Sequence, residues 1–162
     1  MKIGVISDTH IPDRARQVPP VIMEAFNHVD MIIHAGDLVE FSVLDKLSGV
    51  CKEVKAVRGN MDYDDASGRL PIKEIIKAGG VRIGVMHGWG PPAKLVELMQ
   101  QEFKDDKVDI VIFGHSHAPF NEKIGNVLYF NPGSATDKVF APYNSYGIIE
   151  ITNKIDARIV RI

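Results

Sequence analysis

Seven side chains in this sequence have the types and placement to do chemistry together: Asp8, His10, Asp37, Asn60, His87, His115 and His117. They offer carboxylate, amide and imidazole donors. Such groups bury poorly against hydrocarbon, because an unpaired buried polar atom is costly. Nitrogen and oxygen donors without a thiolate suit a divalent cation instead. Asp8 and His10 are two residues apart, as are His115 and His117, and an extended backbone would point both members of each pair to one side. Gly36, Gly59, Gly88 and Gly114 adjoin the clusters and permit close backbone approach. Seven donors exceed one tetrahedral site. A bridging carboxylate would let two adjacent ions use them all, and paired ions about 3.5–4 Å apart are a common solution for phosphoester hydrolysis.

Each cluster follows a short run rich in Val and Ile. The runs are Lys2–Ser7, Met31–Ala35, Glu53–Arg58, Val81–Met86 and Asp109–Phe113. Their length and β-branched content suit buried strands. Between them, Val18 to Val29 and Pro91 to Phe103 carry apolar residues at helical spacing, each with a proline pair near its start. Phe41 to Leu47 is a shorter helical segment. After His117, Asn126–Phe130, Ser145–Ile151 and Ile155–Ile162 read as strands, with Asn153-Lys154 as a hairpin connection. The expectation is an α/β chain with a mainly parallel sheet, extended or faced by antiparallel strands and covered by helices. Ligands of open α/β sheets bind beyond the carboxyl ends of strands. If the five strands run parallel, their polar clusters share one rim.

The chain has 162 residues, a length that fits one domain over 1–162. Hydrophobic residues are 45% and charged residues 25%, with a formal net charge of −2, so nothing draws it to long polyanions or anionic membranes. The lone Cys51 rules out a disulfide within the chain and fits a reducing compartment. The N-terminal apolar run is too short for a signal-peptide core, and no stretch approaches a spanning helix. The default location is the cytoplasm.

Asp8-Thr9-His10, Gly36-Asp37, Gly59-Asn60, His87-Gly88 and Gly114-His115-Ser116-His117 together resemble the calcineurin-like metallophosphoesterase superfamily. Gly59-Asn60-Met61-Asp62 and Asn131-Pro132-Gly133-Ser134 look like its small YfcE-type phosphodiesterase branch. The resemblance runs from Lys2 to about Ser134. It implies a two-sheet β-sandwich flanked by helices in four α/β/β/α layers, and a phosphodiesterase acting through two divalent ions and a metal-bound hydroxide. One ion would be held by Asp8, His10, Asp37 and His117, and the other by Asp37, Asn60, His87 and His115. Asp37 would bridge, and Asp37, Asn60 and His87 would carry the catalysis. The donor set accepts Mn, Ni, Fe, Co or Zn. Many relatives carry a histidine where this chain has Met61, which cannot donate a proton, and Asp62 follows as an orienting carboxylate. The implied substrate is a small phosphodiester, with a phosphomonoester or dinucleoside polyphosphate as the alternative. The Asp8-Thr9-His10-Ile11-Pro12 opening also resembles a eukaryotic retromer subunit that works as an assembly platform. Homo-oligomerisation stays open.

Several other residues have two readings. His34 is read as a core or supporting histidine, His28 as a helix-end cation and Cys51 as a small buried hydrophobe. Arg14 is equally suited to clamping a substrate phosphate and to a surface role, whereas for Arg58 the surface role leads. Asn131, Gly133 and Ser134 read as a tight turn, and Trp89 and Pro91 are candidates to line a substrate pocket, with a core role equally open for Trp89.

Overall fold

The computed structural model describes residues 1–63 and 68–162. The strands form two five-stranded sheets. The first holds β1 (Lys2–Ile6), β2 (Met31–His34), β3 (Val54–Ala56), β9 (Ser145–Ile151) and β10 (Ile155–Arg161), ordered β10-β9-β1-β2-β3. The second holds β4 (Lys73–Ala78), β5 (Val81–Met86), β6 (Ile110–Ile112), β7 (Phe120–Ile124) and β8 (Val127–Asn131), ordered β4-β5-β6-β8-β7. In the first sheet β1, β2 and β3 are parallel, and β9 and β10 extend it in antiparallel fashion. In the second, β5, β6 and β8 are parallel, with antiparallel β4 and β7 at the edges.

Strand alternation builds the layers. Ile3 and Val5 of β1 point inward and meet Ile33, Ile83, Val85, Ile110, Ile112 and Phe130 between the sheets. Ile6 and Ile32 face outward onto α1 (Pro20–Phe26) and α2 (Ser42–Ser48), through Ile22, Phe26 and Leu47. On the far side, Met86, Val111 and Tyr129 pack under α3 (Leu95–Glu102) through Leu95 and Met99. The result is an α/β/β/α sandwich. Burial of these apolar faces, at about 25 cal/mol per Å² removed from water, is what holds the layers together.

The two-sheet sandwich implied by the motifs is what forms, while three expectations drawn from periodicity need correction. The five strands do not share one sheet: three lie in the first and two in the second, so the rim runs along the seam where two sheets meet. Strands β4 and β7, unanticipated from sequence, are the edges of the second sheet. Edge strands tolerate charge and exposure, and Phe120–Ile124 is largely exposed, which erases the apolar pattern of a strand. The Val18–Val29 helix is also shorter than its apolar spacing implies, ending at Phe26.

Candidate metal centre

The carboxyl ends of β1, β2, β3, β5 and β6 converge at that seam, and each delivers its polar cluster there. The backbone turns out of the sheet by an unusual route. Asp8, His10, Asp37, His115 and His117 have φ of 52°, 41°, 55°, 69° and 57°. The left-handed region costs an L-residue roughly 1–2 kcal/mol, so it persists only where surroundings impose it. The expectation that extended backbone aligns Asp8 with His10 and His115 with His117 is therefore wrong in mechanism. Paired left-handed residues, not strand alternation, turn both members of each pair into the site.

Hydrogen bonds lock this backbone across elements. Asp8 N donates to Gly36 O at 3.0 Å and His10 N to Asp37 O at 3.0 Å. Ser134 Oγ donates to Asp8 O at 2.7 Å, and Asn131 Nδ2 to Gly114 O at 2.8 Å, so the Asn131–Ser134 turn acts as a staple. The packing leaves no room for side chains at two glycines. A Cβ on Gly59 would lie 2.0 Å from Asp37 Oδ1 and 2.3 Å from Asp37 N, and one on Gly114 would lie 2.1 Å from Ser7 Oγ.

The donors crowd together. Ligand atoms of Asp8, His10, Asp37 and His117 all lie within 4.8 Å of one another. His10 Nε2 faces His117 Nε2 at 3.1 Å, His117 Nε2 lies 3.3 Å from Asp8 Oδ1, and His10 Nε2 lies 3.5 Å from Asp37 Oδ2. His87 Nε2 is 3.3 Å from Asp37 Oδ2 but out of line for a hydrogen bond, and stays a buried, unpartnered polar atom. His115 and Asn60 form the outer wall, with Nδ1 2.9 Å from Asn60 Oδ1. His115 Nε2 lies 3.1 Å from Gly90 O. The structure thus brings all seven side chains to one place, the first four tightest.

Each ligand is oriented from behind. His87 Nδ1 donates to Ala35 O at 2.7 Å, and His117 Nδ1 donates to Asp137, so in the neutral rings both Nε2 lone pairs face the centre. Met61 N donates to Asp37 Oδ1 at 2.8 Å. Asp62 accepts from Gly59 N at 2.6 Å and Val39 N at 2.7 Å, which holds the loop carrying Asn60. His34 is fully buried against Thr9 and Gly36, a supporting histidine. Cys51 is buried away from the site and His28 is exposed.

Charge in the site is unbalanced. Burial opposes protonation of His87, but the Asp37 and Asp8 carboxylates and the Ala35 carbonyl outweigh it and raise its pKa to about 9. Burial likewise opposes charge on His117, yet Asp8 and Asp137 raise its pKa. Burial lowers His10, with Asp37 and Asp8 pulling the other way. Asp37 is pushed up by burial but held below the usual carboxylate range by His87, the Met61 N–H and His10. Two buried carboxylates thus draw positive charge to themselves. Converging imidazole nitrogens, a stranded His87 Nε2 and acidic oxygens are the donor set a divalent cation takes, so these residues fit one.

The family model of the calcineurin-like phosphoesterase superfamily domain matches residues 1–154. The chain belongs to that superfamily. A probable metallophosphoesterase of Methanocaldococcus jannaschii is 40% identical, over 100% of this chain and 82% of that protein. Vacuolar protein sorting-associated protein 29 of Schizosaccharomyces pombe is 33% identical, over 84% of this chain and 73% of that protein. Among solved structures, wild-type Vps29 of Entamoeba histolytica complexed with zinc superposes with a TM-score of 0.76 at 28% identity, covering 99% of each chain. The four-layer fold expected from the motifs is therefore that of this phosphoesterase.

Two clefts flank the donors. One, of about 510 Å³, is lined by His10, Asp37, Asn60, His115 and His117, with Arg14, Met61, Pro92 and Phe140 at its sides. The other, of about 480 Å³, is lined by Arg58, Asn60, Asp62, Ile72, His87 and Trp89. Arg14 and Trp89 therefore stand at the mouths of clefts, and Trp89 is not a core residue. Sequence reasoning missed Asp137 and Phe140. Asp137 lies three residues past Ser134, whose Oγ accepts from its N–H, and its carboxylate caps Val139 N and Phe140 N. Such side-chain-to-backbone turns are common, so the turn did not mark Asp137 as functional in the sequence. Among the described residues, no helix is long and apolar enough to cross a membrane.

Proposed function

We propose that this phosphoesterase is a divalent-metal-dependent phosphodiesterase with a dinuclear centre, acting on a small phosphodiester. The observation that carries the reading is the convergence of Asp8, His10, Asp37 and His117 within 4.8 Å, with the buried His87 Nε2, which makes no hydrogen bond, 3.3 Å from Asp37 Oδ2. Asp8, His10, Asp37 and His117 would hold one cation, and Asp37, Asn60, His87 and His115 the other. The bound ions would lower the pKa of a water and neutralise charge on the phosphate oxygens.

The chain's own residues supply orientation and exclusion. Ala35 O and Asp137 fix the His87 and His117 rings, so no reorganisation is needed when substrate arrives. Arg14, which lines the cleft, would grip a non-bridging phosphate oxygen through its planar donor fork. Water adds to phosphorus, one ester P–O bond breaks, and the products are a phosphomonoester and an alcohol. Met61 cannot protonate the departing oxygen, so the site favours leaving groups that depart as anions.

The test is hydrolysis of an aryl phosphodiester by chain purified without chelator. Turnover with manganese or nickel is expected, with loss on chelation and recovery on re-addition, and elemental analysis should find bound metal. A fully loaded protein that turns over neither this diester nor the matching monoester would overturn the reading. Faster turnover of the monoester would reassign the substrate class. The similarity to a vacuolar sorting protein favours one second reading, a binding platform on the same fold. That reading requires the loaded protein to be inert.

A further inference from the structure

Building on the phosphodiesterase reading, we infer that the substrate carries a planar aromatic group on each side of its scissile phosphate, the dinucleotide class. Phe140 and Trp89 serve as the two stacking platforms.

The two clefts meet at Asn60, which lines both. Each holds one exposed aromatic ring and one arginine: Phe140 with Arg14, and Trp89 with Arg58. Phe140 is 68% exposed and Trp89 50% exposed, although each could have been buried in a sandwich with ample core. Rings of this size left in water beside a phosphate site present faces to a ligand.

The segments that carry both rings are tied to the donors. Asp137 accepts from Val139 N at 2.9 Å and Phe140 N at 3.2 Å, and the same carboxylate receives His117 Nδ1–H. The Arg14 guanidinium carbon lies 5.6 Å from the Phe140 ring centre, a cation–π contact that steadies the ring. Trp89 sits between His87 and Gly90, whose carbonyl lies 3.1 Å from His115 Nε2. Phe140 is therefore held in register with the donors, and Trp89 is brought beside them by its backbone neighbours His87 and Gly90.

A monoester has one arm and would fill one cleft. A diester with two flat arms fills both and spans Asn60. A long single strand is disfavoured, because a net charge of −2 provides no track for repeated phosphates. A dinucleotide presents a single internal phosphate, so the donor centre alone can meet its charge.

The chain has one tryptophan, Trp89, so its emission reports on its own cleft. Manganese-loaded protein is titrated with adenylyl-(3′→5′)-adenosine, with adenosine 5′-phosphate methyl ester and with dimethyl phosphate. The dinucleotide should quench the emission saturably and bind more tightly than the one-base ester, while dimethyl phosphate leaves the emission unchanged. By calorimetry, Phe140→Leu and Trp89→Leu should each weaken dinucleotide binding by about fivefold to hundredfold, the range for losing one stacked base. Both side chains are exposed, so neither change threatens the fold. An unchanged emission, or variants that bind the dinucleotide as the parent does, overturns the inference. Binding is read apart from turnover, so an inert enzyme defeats the phosphodiesterase reading and bare clefts defeat this one.

Discussion

Asp137 accepts a hydrogen bond from His117 Nδ1–H and thereby turns the other ring nitrogen toward Asp8, 3.3 Å away. Burial raises the Asp137 pKa, but His117 and the N–H groups of Val139 and Phe140 outweigh it and hold the carboxyl below its usual range. An ionised acceptor therefore sets the tautomer. Asp137→Asn would present an amide that cannot accept from both His117 and the loop. Metal affinity should fall about 10- to 100-fold, the usual effect of losing such a support. Calorimetric titration with manganese checks the affinity, and imidazole NMR checks the tautomer. An unchanged affinity would mean that His117 is held by packing alone.

Asp37 sits between His10 and His87, and Gly59 is the wall behind it. In Gly59→Ala the new methyl meets the Asp37 carboxylate and backbone nitrogen well inside contact distance, and backbone cannot swing aside as a flexible side chain can. Asp37 must shift, so stoichiometric metal binding and turnover should both be lost, together with about 1–3 kcal/mol of stability from overpacking. Denaturant unfolding with metal analysis tests this. A variant that keeps both would show that the Asn60 loop yields freely.

How far the sequence speaks for the site depends on the residue. His115 and His117 were legible because a Gly-His-x-His run after an apolar strand has few structural uses. Asp137 was not, because an aspartate in a Ser-Ala-Thr-Asp turn looks like any other and only the fold brings it to His117, 20 residues back. Strands β1, β5 and β9 could be read from continuous apolar runs, being central. The edge strands β4 and β7 could not: Phe120–Ile124 is exposed almost throughout and Lys73–Ala78 interleaves charge with its apolar residues, whereas edge strand β10 keeps an alternating apolar face at Ile155, Ala157 and Ile159. The separation into two sheets is likewise invisible in periodicity: parallel strands of either sheet have the same apolar signature.

Met61 offers a gain-of-function test. Its backbone holds Asp37, while its half-exposed side chain lines the cleft. Met61→His keeps the backbone bond and adds a proton donor facing the substrate. Positioned general acids contribute about 10²–10⁴-fold, and most where the leaving group is basic. Turnover of an alkyl phosphodiester should rise at least about tenfold, with little change for an aryl one. Equal effects on both would locate the new imidazole at the phosphate rather than at the leaving oxygen.

His34 makes the fold sensitive to acid. Burial holds its pKa down to about 4, against the pull of Asp62 and Asp8. Gly36 N donates to Nδ1 at 3.2 Å, so Nδ1 carries no proton and Nε2–H faces Thr9 Oγ1 at 3.1 Å. Protonating Nδ1 would set two donors against each other one residue before Asp37. The folded pKa lies below the unfolded value of 6.5, so the unfolded chain binds the extra proton first. Stability is therefore unaffected by His34 above pH 6.5 and declines as pH falls from there toward 4. His34→Gln removes the titration. It should be less stable than the parent at neutral pH, having lost two buried hydrogen bonds, yet lose less stability between pH 6.5 and 4. Urea unfolding across that range reads both curves, and parallel curves would show that His34 is already protonated in the folded chain or never charges in either state.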